Sequence, residues 1–143
     1  MKIIDANVLL YAVNEDAPHH KVAKNWLDTA FRGSDTIGFA WVVLLAFLRL
    51  STRAGLFPRP LALDDAVRTI ETWLARPTAV ILSATPRHLN LLHGLLAPLG
   101  AAGNLVNDAH LATLALEHGA EVISFDPDFA RFPGLRWQAP GPS

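Results

Sequence analysis

The sequence has no cysteine, which excludes a disulfide framework, a thiol nucleophile and any zinc site built on sulfur. Its only lysines, Lys2, Lys21 and Lys24, sit near the N-terminus. A phosphorelay receiver, which needs a lysine at a late strand end, is therefore excluded. A P-loop is excluded as well, since no Gly-x-x-x-x-Gly-Lys stretch occurs. Nor is there an excess of charge of one sign: twelve Lys and Arg face thirteen Asp and Glu, for a net charge of −1. Phosphate attraction alone cannot then hold a nucleic acid, and such a substrate needs a local site. Long apolar runs are also missing. The densest, Thr36 to Leu48, is closed by Asp35 and Arg49 and falls well short of the roughly 20 residues that span a bilayer. The uncharged stretch from Leu89 to Asn107 is interrupted by Asn90, His93, Pro98 and three glycines. Met1-Lys2 leads straight into Ile3-Ile4-Asp5, without the apolar region of a signal peptide. These absences lead to the expectation of a cytoplasmic protein with no membrane contact.

What is present suits one folded domain. At 143 residues, folding buries roughly 68–70% of the surface of the extended chain, enough for a core without cross-links. Apolar residues make up 51% of the chain and mean hydropathy is +0.26, which excludes wholesale disorder. A single domain is expected over residues 1–138, with a flexible Pro/Gly tail over 139–143.

Short apolar runs alternate with longer helical patterns. Strands are expected at Lys2-Ile3-Ile4, Thr36–Phe39, Thr78–Leu82 and Glu121–Phe125, with a last short one at Arg136–Gln138. Val22, Ala23, Trp26, Leu27 and Ala30 recur at helical spacing within His19–Phe31. Trp41 to Arg53 is apolar on nearly every face, which predicts a helix that is buried or meets a partner chain. Further helices are expected from Asp64 through Trp73, from Pro86 to Leu96, and from Asp108 to His118. Asn107 is the expected cap of the last of these, and Gly119 its left-handed stop. Such alternation predicts an α/β fold with a mainly parallel sheet covered on both faces. The chemistry of such sheets lies beyond the carboxyl ends of the strands.

That rule singles out Asp5 and Asp126, each directly following an apolar strand, and Asp108, which opens a helix beside Asn107. Taken one at a time, each has a bland reading as a turn former, a cap or a helix-start charge. Gathered in one cleft, they would repel by roughly 4 kcal/mol per pair at about 4 Å and an effective dielectric near 20. Such a cluster is tolerable if protonated, paired with Arg or bridged by a cation. With oxygen ligands only, the cation would be hard, Mg²⁺ or Mn²⁺. An aspartyl phosphatase would require Asp-x-Asp after the first strand, and the third position is Asn7.

Three segments together carry a family resemblance. Ile3-Ile4-Asp5-Ala6-Asn7-Val8-Leu9-Leu10-Tyr11-Ala12 resembles the opening of PIN-domain ribonucleases, particularly the VapC toxins of bacterial toxin–antitoxin pairs. Asn104-Leu105-Val106-Asn107-Asp108-Ala109-His110-Leu111-Ala112 resembles their central acidic motif. Ser124-Phe125-Asp126-Pro127-Asp128-Phe129-Ala130-Arg131-Phe132-Pro133-Gly134-Leu135 resembles their closing motif. The resemblance implies a three-layer α/β/α PIN-like fold and a Mg²⁺- or Mn²⁺-dependent endoribonuclease toxin. It maps the catalytic and metal-binding acids onto Asp5, Asp108 and Asp126. Asp128 becomes an outer partner, and Asn7 and Ser124 fall where small polar groups orient a carboxylate. It also implies a homodimer, a VapB-like antitoxin, and an RNA substrate, with tRNA and rRNA both open.

One position departs from the pattern. Many family members carry Glu in the helix after the second strand, as in Leu-Leu-Glu-Phe-Leu-Arg. This chain reads Leu44-Leu45-Ala46-Phe47-Leu48-Arg49. Either the branch works with fewer acids, or an active-site Glu has been removed, or the protein is a catalytically silent binder of antitoxin or RNA. Arg49 and Arg53, expected on one helix face, are candidates for RNA phosphate or for pairing with acids. Among the six histidines, His19-His20 read as a helix-start surface pair, His88 and His93 as poor chelators, and His110 as a packing or capping residue. Trp26, Trp41, Phe47 and Trp73 are expected in the core or at a dimer interface.

Overall fold

The strands among the described residues are short, two or three residues each, and the two that carry the acids, the first and the fourth, end at the polar residues Asp5 and Ser124. In the computed structural model, which describes residues 1–100 and 103–141, β1 (Lys2–Ile4) stops at Asp5 and β2 (Ile37–Phe39) stops before Ala40. Farther along, β3 (Ala79–Ile81), β4 (Glu121–Ile123) and β5 (Trp137–Gln138) complete a sheet of order β3-β2-β1-β4-β5, parallel at every pairing. The central strand β1 is sealed on both sides, with Ile3 and Ile4 fully buried. Gly38 in β2 permits a close approach: a Cβ there would meet Leu82 Cδ1 at 2.6 Å.

Among the described residues six α-helices make the connections: α1 (Ala6–Val13), α2 (His20–Arg32), α3 (Trp41–Ser51), α4 (Leu63–Leu74), α5 (His88–Leu96) and α6 (Val106–His118). Contacts join α1 to α2 and α3, and α3 to α4, while α5 packs on α6. With parallel strands and right-handed crossovers, these two groups cover opposite faces of the sheet. The result is the expected α/β/α layering. Ala23, Leu27 and Phe31 form the buried stripe of α2, and Ala66, Ile70 and Trp73 that of α4. Phe31, Phe39, Trp73 and Phe47 run as a chain of ring contacts through this half of the core.

Several elements depart from the sequence reading. Helix α1 was not expected at all. Its eight residues are marginal as an isolated helix, but Asp5 caps it by accepting from the Ala6 amide at 2.8 Å, and Val8, Leu9 and Leu10 are buried. Helix α3 ends at Ser51, where the Thr52 hydroxyl turns back to the Leu48 carbonyl at 2.6 Å. Arg53 therefore lies beyond the helix and does not share a face with Arg49. Helix α6 starts earlier than expected, at Val106, out of a 3₁₀ turn over Gly103–Leu105. Leu105 holds the capping position and Asn107 is already helical. Gly119 does end α6 in the left-handed conformation, at φ 65°. Only one side of α3 is buried; Trp41 and Leu45 on the other are 51% and 56% exposed. Of the tail expected over 139–143, Pro140 is buried, and residues 142 and 143 lie outside the described residues.

Candidate active site

The carboxyl ends of β1 and β4 lie side by side, with the Asp5 amide donating to the Ile123 carbonyl at 2.9 Å. That ladder brings Asp5 next to Ser124, which leaves β4 fully buried. The Ser124 hydroxyl donates to Asp5 Oδ2 at 2.7 Å and accepts from Asn7 Nδ2 at 3.0 Å and from the Asp126 amide at 3.0 Å. Asn7 Nδ2 also lies 3.4 Å from Asp5 Oδ2, while its Oδ1 accepts from the Phe125 amide at 3.1 Å. Asn7 and Ser124 thus fix the orientation of one carboxylate and of the chain that carries the next.

Asp126 begins a 3₁₀ turn over Pro127–Arg131 and accepts from the Asp128 amide at 2.9 Å. The turn brings Asp126 and Asp128 to Asp108 in the first turn of α6. One oxygen from each of these three carboxylates lies within 4.8 Å of the others. Asp5 stands outside that trio but shares a cavity of about 100 Å³ with Asp108, lined also by Val42, Val43, Ala46, Arg49 and Leu111. Asp128, expected farther out, contributes an oxygen to the trio, and its other neighbour is Arg131 Nε at 3.6 Å. Arg49 lines the cavity; Arg53 does not.

The electrostatics follow from this crowding. Burial, and next the charges of Asp5 and Asp126, push the Asp108 carboxyl up from 3.8 to about 7. Burial also raises Asp5, against the lowering effect of the Ser124 hydroxyl and the Ala6 amide. Carboxylates held together at this proton cost suit a cation. The donor set is all oxygen and contains no sulfur, which fits Mg²⁺ or Mn²⁺. Ala46 faces the same cavity as Asp5 and Asp108, so α3 adds no carboxylate there.

A second polar cluster was not anticipated. His88 Nδ1 pairs with Glu117 Oε1, and His88 Nε2 lies 2.8 Å from His110 Nδ1. The Thr85 hydroxyl and amide both donate to Glu117 Oε2. His88 spends its two ring nitrogens on two different partners, so this is a hydrogen-bond chain that ties α5 to α6 and not a chelate. His110 and Glu117 lie two turns apart on one face of α6, the one sequence signal that could have indicated it. The two N-terminal histidines also part company. His20 donates from Nδ1 to the Tyr11 carbonyl at 2.9 Å, whereas His19 is exposed and stacks on Phe125.

Comparison with known proteins agrees with the fold. The family model described as PIN domain matches residues 2–135. Ribonuclease VapC37 of Mycobacterium tuberculosis is 56% identical over 98% of this chain and 97% of its own length. Ribonuclease VapC33 of the same species is 41% identical, covering 98% of each chain. Among solved structures, VapBC2 from Rickettsia felis, bound to a DNA fragment from its promoter, superposes with a TM-score of 0.72 at 20% identity, over 96% of this chain and 97% of that one.

Proposed function

Because the chain belongs to the PIN-domain family, and within it to the VapC ribonucleases, we propose that it is an endoribonuclease toxin that uses Mg²⁺ or Mn²⁺ and is neutralised by a VapB-like antitoxin. The observation that carries the reading is the convergence of Asp108, Asp126 and Asp128 within 4.8 Å, beside Asp5. Asp108, Asp126 and Asp128 would hold the cation, with Asp5 beside them in the cavity it shares with Asp108. When bound, a divalent ion supplies Lewis acidity toward the scissile phosphate and lowers the pKa of attacking water.

The remaining work belongs to the protein. Ser124 and Asn7 hold Asp5 Oδ2 in one direction, so the carboxylate does not have to reorganise during reaction. Burial and the acidic neighbours hold the Asp108 carboxyl up at about 7, and a bound cation would favour its ionised form. Arg49, at the mouth of the cavity, orients the RNA phosphate. Val42, Val43 and Leu111 form an apolar wall that limits water around the acids.

The exposed Trp41 and Leu45 on α3 favour a protein partner on that helix, either a second copy of the chain or the antitoxin. Among the described residues no helix is long and apolar enough to cross a membrane, in keeping with action on RNA in the cytoplasm. Both tRNA and rRNA remain substrates of the reading. A catalytically silent role is the second reading, favoured by the absence of a Glu at Ala46. RNA cleavage by the purified protein separates the two: cleavage in Mg²⁺ or Mn²⁺ that EDTA abolishes and Asp108→Asn removes is expected. Full activity in Asp108→Asn would overturn the site assignment.

A further inference from the structure

The proposed ribonuclease activity leaves unexplained how a chain of net charge −1 holds RNA beside a cluster of carboxylates. Phosphate attraction is weak here, so part of the affinity has to come from contacts that carry no charge. One group of side chains on the same rim of the sheet offers such contacts. Phe125, between Ser124 and Asp126, packs its ring 5.4 Å from Tyr11 and 4.7 Å from His19. The His19 and Phe125 planes are inclined by only 17°, a stacked arrangement, and His19 is exposed. Tyr11 closes the group from α1, 5.7 Å from His19.

These rings are fixed to the acidic site through the backbone. The Phe125 amide donates to Asn7 Oδ1, and Asn7 in turn contacts Ser124 and Asp5. On the other side, His20 donates to the Tyr11 carbonyl and pins the junction of α1 and α2 from which His19 projects. The stack is therefore anchored through Phe125 and Tyr11, and His19 is its exposed member. Stacking on an aromatic ring is sequence-tolerant, because every base has a π-face, and it is the usual way in which proteins hold unpaired RNA.

We propose that His19, stacked on Phe125 and flanked by Tyr11, forms a platform that takes an unpaired RNA base next to the scissile phosphate. This rests on the ribonuclease reading above and deepens it: the substrate segment is single-stranded, or opened to be so, at the nucleotide beside the cut. His19 is a positioning residue and takes no part in the bond-breaking chemistry.

The test uses the full chain and short single-stranded RNAs in which 2-aminopurine replaces one base at successive positions. Stopped-flow fluorescence in Mg²⁺ records stacking before cleavage. The parent is expected to quench 2-aminopurine at one position of the series. His19→Ala is expected to lose that quench and to bind at least about fivefold more weakly. His19→Phe, which keeps a flat ring, is expected to retain both. In cleavage, His19→Ala should raise KM and leave kcat nearly unchanged, with at most a small drop in Tm from the lost ring contact. The proposal is overturned if the parent quenches no position, or if His19→Ala binds RNA as the parent does. It is equally overturned if His19→Ala weakens only the antitoxin complex, which would make the platform a protein contact. The quench requires no turnover. Its presence in a protein that cleaves no RNA would support the platform while overturning the ribonuclease reading.

Discussion

The Ser124 hydroxyl donates to Asp5 Oδ2 at 2.7 Å, joining residues 119 positions apart, and the same oxygen accepts from Asn7 and from the Asp126 amide. Removing it takes one hydrogen-bond partner from each of three polar groups around a fully buried position. Ser124→Ala is expected to lose about 2 kcal/mol of stability, in the range of an unsatisfied buried group. Its activity should fall further than its stability, because Asp5 loses its orientation. Urea unfolding alongside cleavage rates checks this; equal activity at full folding would show that Ser124 does not position Asp5.

Asp108 gives a signed pH dependence. Its carboxyl is raised in the folded state from 3.8 to about 7, so its contribution to stability is full below pH 3.8 and is lost as pH rises through 7. The metal-free protein should lose about 1 kcal/mol over that window, discounted for a half-buried group, or about 3 °C in Tm. Asp108→Asn should flatten the profile. Added Mg²⁺ should restore stability to the parent at pH 7 and not to the variant. Thermal melts at pH 4 to 8, with EDTA or Mg²⁺, decide it.

Ala46 lines the cavity that holds Asp5 and Asp108. Ala46→Glu places a further oxygen donor there. Tighter Mn²⁺ binding by calorimetry and faster cleavage are expected, with Tm in metal at least equal to the parent's. A destabilised variant with unchanged metal affinity would show instead that this site works with its aspartates alone.

Glu117 behaves in the opposite sense to Asp108. Burial works to raise its carboxyl, but the Thr85 hydroxyl, His88 and the Thr85 amide outweigh it and hold the group below its ordinary 4.5. Its stabilisation is present above that value and is lost as pH falls below it. Glu117→Gln should therefore be less stable than the parent by about 1–3 kcal/mol at pH 7, with the gap closing as pH falls below the ordinary 4.5. Cleavage, which does not pass through this chain, should persist in the folded variant.

Much of this was legible in the sequence because strand ends and helix starts are marked by charge. Asp5 and Asp126 stood out as carboxylates that terminate apolar runs, and Asp108 as a helix-start acid. What stayed hidden depended on tertiary packing. Helix α1 has a continuous apolar run, Val8–Tyr11, that fits no helical stripe, and it exists because its cap and its core contacts compensate for its length. Asn107 looks like a cap, but a 3₁₀ turn feeds the helix from Gly103 and moves its start. The spread of Asp128 into the trio depends on the turn set by Pro127. The His88–Glu117 pair joins residues 29 positions apart, and only the packing of α5 on α6 brings them together.

The pairing of β1 with β4 joins Ile4 to Ile123, and this has a consequence for synthesis. Asp5 leaves the ribosome more than a hundred residues before Asp108 and Asp126. No nascent or truncated chain that ends before β4 can assemble the acidic cleft, and contacts so distant in sequence form slowly. The acidic cleft therefore cannot form on the ribosome until β4 and the turn after it have been made.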